Sequence, residues 1–443
     1  MNFNIRRTGT ILFSIIMIVA LFRTHILLKD DELKNKKVVV EGVITNIEYG
    51  KFSKKIILDN SIVVNIKDKK KFIKSHNNGY NGGYREDMEI GDKVKVEGIE
   101  KNIFNLKFKD FDYGRLLLSR GYKRYIQKNK MYFIDKNIFY TEIGRLRNYI
   151  IDTNKSIFGD YGTILNALTI GYKKDLTKEE EFMFMDSGTS HLMAVSGLHI
   201  AIITGILFVF IGRIRSIPKL FLVYIILYLY SIITLQSPSV VRAINLLFVT
   251  YIGYFFDERV DIMNTLLILA SITIIENMFI LYSISFQLSF LTVASISIYK
   301  KYIDKFICFD FISISVSSMI MTIPLIIYYF KEVSIMSIFG NLFIIPFIGI
   351  LIFIDIITVA SFYIDFIIWR IGFLLGTTIL DIVVYIMKSI GNYGVNNIIC
   401  KSMQMKNLVL YYIVLLFITL FVHVYMIINN RFYEEDHYIS KIE

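Results

Sequence analysis

The sequence predicts a polytopic α-helical membrane protein with an inserted small β-barrel soluble domain. Three observations predict it. The 443-residue chain is 54% hydrophobic and only 20% charged, too little polar surface to cover a soluble core of this size. Apolar runs with few or no charges, of a length suited to a bilayer, recur from residue 191 onward. The charges instead gather in one place: residues 29–140 hold 25 Lys+Arg against 16 Asp+Glu and so carry nine of the eleven net positive charges.

The elements follow in order. Arg6-Arg7 precede an apolar stretch, Thr8 to Leu28, broken only by Arg23. No small-residue cleavage site follows, so 1–28 is expected to be an uncleaved first transmembrane helix with a cytoplasmic N-terminus. Residues 29–140 then read as a basic extracytoplasmic domain. Lys37 to Ile44 predicts a strand with a glycine kink. Lys55–Leu58 and Ile62–Ile66 predict a hairpin around Asp59-Asn60-Ser61. Asn77 to Gly83 reads as a loop, Gly91 to Gly98 alternates strictly as a strand does, and Leu106–Phe108 reads as a further short strand. Such a series of short strands with glycine bends implies a small, OB-like barrel. Its basic charge fits an anionic partner, nucleic acid or lipid headgroups, or equally a Lys-rich solvated face. Tyr80, Tyr84, Phe108 and Tyr113 are candidates to stack bases, with core packing as the competing role.

Residues 141–180 are expected to form amphipathic or linker helices, with Arg145–Phe158 lying at the membrane surface. Residues 181–430 form the multi-helix membrane body, followed by a short polar tail, 431–443. Apolar runs cover 191–212, 220–235, 243–256, 262–275, 277–299, 311–330, 333–354 and 407–428. With the first helix and the interrupted region 356–387, they predict roughly 8 to 11 helices. Several runs are short enough to be half-helices lining a cavity. Cys308 and Cys400 lie outside the basic domain, and no Cys/His cluster predicts a metal site. No cofactor and no catalytic residue are expected.

Function is written in the interruptions. Gly188 to Ile200 places His191, Ser196, Gly197 and His199 where the membrane body begins. Eight residues separate the histidines, so both can share one face of a helix. Ser237-Pro238-Ser239 precedes Arg242, and a helix-breaking proline beside an intramembrane arginine marks a functional site. Gln287 and the serines Ser285 and Ser289, in Ser285-Phe286-Gln287-Leu288-Ser289-Phe290, can line a path or join helices. Pro324, Asn341 and Pro346 are expected to break helices around a buried amide.

Taken in order, Ala167-Leu168-Thr169-Ile170-Gly171, His191-Leu192-Met193-Ala194-Val195-Ser196-Gly197-Leu198-His199, Ser237-Pro238-Ser239-Val240-Val241-Arg242-Ala243, Phe286-Gln287-Leu288-Ser289-Phe290 and Asn341 with Pro346 resemble the ComEC family of competence DNA-uptake channels. The resemblance covers nearly the whole chain. It implies a channel that takes up single-stranded DNA across the cytoplasmic membrane during natural transformation, with the twelve motif residues from His191 to Pro346 named above lining the channel or the DNA path. It also implies a DNA receptor, a nuclease and an ATP-driven helicase as partners beside the lipid bilayer, and admits a homo-oligomer. No GxxxxGK[ST] motif occurs here, so ATP hydrolysis falls to a partner. Many family members carry a C-terminal metallo-β-lactamase-like domain. No HxHxDH motif occurs in this chain, which is therefore expected to be a short form. Two other readings stand beside the channel: a transporter of another anionic substrate, and an intramembrane hydrolase built on Ser196 with a nearby histidine.

Overall fold

The computed structural model describes residues 2–27, 36–49, 53–67, 88–108, 111–212, 216–255, 261–307, 309–333, 336–364, 366–393, 398–399 and 403–439. The loop Asn77 to Gly83, Tyr80, Tyr84, Cys308 and Cys400 lie outside them. Helix α1, Asn2–Leu27, leads into strands β1 (Lys36–Tyr49), β2 (Ser53–Leu58), β3 (Ile62–Lys67) and β4 (Asp92–Lys101). Short strands β5 (Lys107–Phe108) and β6 (Phe111–Asp112) precede helix α2 (Tyr113–Ser119) and strand β7 (Arg124–Lys136). The order β1-β2-β3-β7-β4 closes on itself as a barrel.

The predicted hairpin is present, with Leu58 opposite Ile62 and Ile56 opposite Val64. Closure comes from a parallel pairing of β3 with β7, Ile62 opposite Arg124. Strand alternation fills the interior: Val94 and Val96 are buried while Lys93 faces outward. Ile44, Ile56, Leu58, Val64 and Ile126 complete the barrel core. Gly98 is required where β4 crosses β7, since a Cβ there would lie 2.4 Å from the Gln127 carbonyl oxygen. Along the same seam Arg124 donates from Nε to one Glu100 oxygen at 2.6 Å and from a terminal nitrogen to the other at 2.8 Å. That fork holds the Glu100 carboxyl below the usual carboxylate range, mainly through the hydrogen bond from Arg124.

Tyr113 does not face solvent as a stacking surface. It is buried against Tyr125 edge-on, their ring centres 6.2 Å apart, and burial pushes its phenol up to about 12. The aromatic lost to DNA is gained by the core.

Beyond the barrel come α3 (Ile138–Phe158), α4 (Tyr161–Ile170), α5 (Lys178–Asp186), α6 (Gly197–Ile211), α7 (Ile217–Ile233), α8 (Pro238–Phe255), α9 (Ile262–Glu276), α10 (Ile284–Ile303) and α11 (Asp310–Phe330). A strand pair, β8 (Glu332–Val333) with β9 (Ile398–Ile399), brackets α12 (Met336–Ser361) and α13 (Phe366–Tyr393). Helix α14, Met405–Ile439, follows and continues well into the stretch expected to be a polar tail. Local signals set these boundaries. The Asn137 side chain accepts from the Tyr140 N–H to start α3, and Thr177 with Glu180 forms a capping box on α5. Gly171 ends α4 in the left-handed conformation, φ 69°.

Ile312–Phe330, Phe339–Ser361, Ile367–Asn392 and Met405–Val422 are each long and apolar enough to cross a membrane, and five further apolar helices are shorter. Phe22, Phe210, Leu374 and Phe421 point outward about two-thirds exposed, a surface suited to acyl chains rather than water. The chain is a polytopic helical membrane protein with a small barrel. Its body core gathers Leu168, Leu192, Ile200, Leu227, Val240, Ile348 and Leu380 from six separate helices and the turn before α6.

Pro238 stands at a break: α7 ends at Ile233 and Pro238 opens α8 as its first residue, where its missing N–H costs nothing. Three other expectations about breaks are corrected. Pro324 and Pro346 sit inside α11 and α12, which continue through them. Asn341 likewise lies within α12 and not at a break.

A candidate anion site where helix N-termini meet

The stretch His191–His199 is not one helix. Ser190–Met193 makes a single tight turn, and α6 starts only at Gly197. The two histidines therefore do different things. His199 is 0% exposed. Its Nε2 lies 2.7 Å from the Leu168 carbonyl oxygen, which can only accept, so Nε2 carries the hydrogen and Nδ1 is the acceptor. Nδ1 takes the Ser196 N–H at 3.2 Å and faces the Ser196 hydroxyl at 3.3 Å. His199 thus caps α6 and ties it to α4. It is a buried structural link and does not line a path. His191 is exposed, with the Asn341 side chain of α12 beside it.

The arginine motif is built differently. Leu235 and Gln236 both adopt left-handed backbone, φ 58° and 51°, a conformation non-glycine residues seldom hold. This turn ends α7 and aims α8, and Ser237 gives its carbonyl to Val240 and Val241. One turn into α8, Arg242 reaches the N-terminus of α10. A terminal nitrogen donates to the Ser285 carbonyl at 3.0 Å and to its hydroxyl at 3.1 Å, with Ser239 Oγ at 3.4 Å. Ser239 and Ser285 hydroxyls are themselves 2.9 Å apart. The guanidinium lies 6.0 Å over the Phe286 ring. Its Nε is buried without a hydrogen-bond partner. No carboxylate pairs with Arg242 among the described residues.

Other predicted residues join or leave this cluster. Gly197, exposed, sets the N-terminus of α6 against α8: a Cβ there would lie 3.5 Å from the Ala243 side chain. Ser289 sits one turn along α10 from Ser285. Gln287 is absorbed structurally, its Nε2 donating to the Leu281 carbonyl at 2.6 Å and its Oε1 accepting from the Tyr329 hydroxyl at 3.0 Å. Pro346 stays on α12, exposed and five residues from Asn341. The barrel also arrives here: Asn60, at the tip of the β2–β3 hairpin, donates to the Gln236 side chain at 3.3 Å.

Sequence reasoning noted Ser285 but missed its meeting with Arg242, and it missed the Asn60–Gln236 contact. The first is legible only once α8 and α10 are known to touch. The second joins residues 176 positions apart.

Chemically, the cluster presents a fixed cation, two hydroxyls and the N-terminal turns of α8 and α10. Helix N-termini carry partial positive charge and spare N–H groups. Guanidinium suits phosphate oxygens. An uncompensated arginine in such a place is complementary to an anion.

A family model described as Competence protein matches residues 168–424, which include every residue of this cluster that lies on the helical body. The chain is 28% identical over 249 residues to the ComE operon protein 3 of Bacillus subtilis (strain 168). That match covers 54% of this chain and 31% of the relative, so less than a third of the relative's length is represented.

Proposed function

From the premise that the chain belongs to the competence protein family, we propose that its membrane body passes single-stranded DNA across the cytoplasmic membrane, with the Arg242 cluster as a phosphate contact on the way. The observation that carries this reading is an arginine that has no carboxylate partner among the described residues and is held by Ser239 and Ser285 between two helix N-termini. A polyanion must be attracted there without being trapped. One fixed charge with hydroxyl neighbours does that better than a dense basic patch, whose salt-dependent grip grows with each phosphate neutralised. Ser289 on α10, Gly197 at the start of α6 against α8, and His191 in the turn before α6 are read as further path residues. The basic barrel, outside the membrane with the N-terminus in the cytoplasm, gathers DNA above the site that Asn60 touches. Receptor, nuclease and helicase activities fall to separate partners.

Replacing Arg242 by alanine is expected to abolish arrival of labelled DNA in the cytosol while DNA bound at the cell surface stays at wild-type level. Arg242→Lys, which keeps charge but loses the fork, is expected to retain part of the uptake. Normal uptake by Arg242→Ala sinks the assignment. Lost transport of a small anion with normal DNA uptake favours the transporter reading instead. The Ser196–His199 contact gives a hydrolase little support, because Nδ1 is already engaged by a backbone N–H and the imidazole is fully enclosed.

A further inference from the structure

A second polar site lies within the body, apart from the Arg242 cluster. Asp355, on α12, is 4% exposed. One of its carboxylate oxygens is buried with no hydrogen-bond partner. Its polar neighbours are the side chains of Thr169 on α4 and Asn154 on α3, themselves 4% and 0% exposed. The hydroxyl hydrogen of Thr169 is committed to the Leu165 carbonyl at 2.9 Å. Toward Asp355, Thr169 therefore offers lone pairs and no hydrogen. Asn154 sends one amide hydrogen to Asn166 at 3.0 Å, leaving its second toward Asp355, and its own carbonyl oxygen is buried with no partner.

No Lys, Arg or His pairs with Asp355 among the described residues. Charged and titratable groups on the surrounding elements are used elsewhere. Arg147 of α3 donates to the Ile170 and Ile233 carbonyls, and Tyr149 to the Val359 carbonyl. Tyr230 of α7 donates to the Thr169 carbonyl, and His199 of α6 to that of Leu168. Tyr329 of α11 bonds Gln287, and on α13 Asp381 bonds Tyr161 while Arg370 is exposed. A carboxylate enclosed by apolar helices, met by at most one amide hydrogen and left with one oxygen unpartnered, is disfavoured. The same carboxyl with a hydrogen on it becomes a donor, and Thr169 is the acceptor already in place.

We propose that Asp355 holds a proton at neutral pH and is the proton-carrying group of the membrane body. Binding forms one O–H bond between a carboxylate oxygen and a proton from water. Release breaks that bond and returns the proton to water, with no oxidant or other co-reactant. Intramembrane carboxylates of this kind serve as relays where a transported solute is coupled to ions. The residence of the proton stands on geometry alone. Only its use in coupling rests on the transport reading.

Infrared spectroscopy of the full chain in lipid vesicles tests the residence without DNA. At neutral pH the wild type is expected to show the carbonyl band of a protonated, water-shielded carboxylic acid, which Asp355→Asn lacks. Asp355→Asn carries no charge into the pocket and is expected to fold. If it does not, heavy-carbon labelling of aspartate in the wild type decides: a band that moves with the label supports the proposal, and one that does not move overturns it. A wild type without the band overturns it too. So does a band that sodium removes and choline does not, which assigns the site to a metal cation. In cells, folded Asp355→Asn is expected to lose DNA uptake. Normal uptake overturns the coupling while leaving DNA passage intact.

Discussion

At the scale of residues, two arginines and a histidine show that polar chemistry within apolar helices has two different meanings. Arg147 is 6% exposed and donates to the carbonyls that end α4 and α7, which is where a cation belongs on a helix dipole. Arg242 meets helix N-termini, where a cation is repelled unless an anion joins it. The first is structural, and the second is the residue proposed above as a phosphate contact. His199 falls with Arg147. Its removal leaves the buried Leu168 carbonyl and the partly buried Ser196 N–H without this partner, at about 1–3 kcal/mol. Purified His199→Ala is therefore expected to melt at a lower temperature and to accumulate less, with uptake per folded molecule near normal. A variant with unchanged melting and no uptake would contradict this.

At the scale of elements, hydrophobic patterning located four of the five barrel strands, because an antiparallel strand alternates and reveals its buried face directly; it missed β7, which closes the barrel, and the expected strand at Leu106–Phe108 pairs with β6 outside it. Helix boundaries inside the apolar region were harder to see. Proline suggested breaks at 324 and 346, yet α11 and α12 continue, since neighbouring helices can hold a segment together when one N–H is missing. The barrel seam makes a prediction of its own. Glu100 has a folded-state pKa lowered by Arg124, so the pair stabilises the barrel above the ordinary glutamate range. That contribution is lost as pH falls through the lowered value. Both side chains are partly exposed, 37% and 29%, so the effect is about 1 kcal/mol or less. Thermal melts of the chain on acidification are expected to fall more steeply than those of Glu100→Gln; parallel slopes refute the coupling.

At the scale of the whole molecule, the barrel is seated on the body. Phe279, in the turn between α9 and α10, packs with Tyr113, Leu117 and Leu118 of the barrel's helix. Asn277 donates to the Leu118 carbonyl at 2.8 Å, and Arg115 covers the Tyr282 ring at 5.1 Å. The α1 helix that delivers the barrel packs on α9 through Ala20, Ala270 and Ile274. Asn277→Ala is expected to weaken this seat by about 1 kcal/mol, read as faster protease cutting between barrel and body. Unchanged cutting would show that the apolar contacts suffice. Because the turn that carries Phe279 leads directly into α10 and Ser285, the seat also sets where barrel charge stands relative to Arg242.

The sequence by itself determined the membrane class, the position of the basic barrel and the motifs by which the family is recognised. Each is a one-dimensional signal: mean composition, strand alternation, or a contiguous run such as His191–His199. Only the tertiary structure decided which motif residues meet. Ser239 and Ser285 lie 46 positions apart and Asn60 and Gln236 lie 176 apart, and no periodicity links such distances. It also separated the two histidines and turned Tyr113, Gln287 and His199 inward. A polar side chain among apolar ones reads the same in sequence whether its partner is a neighbouring carbonyl or a passing phosphate. The difference is which hydrogen bonds are already made, and that is settled only when the helices pack.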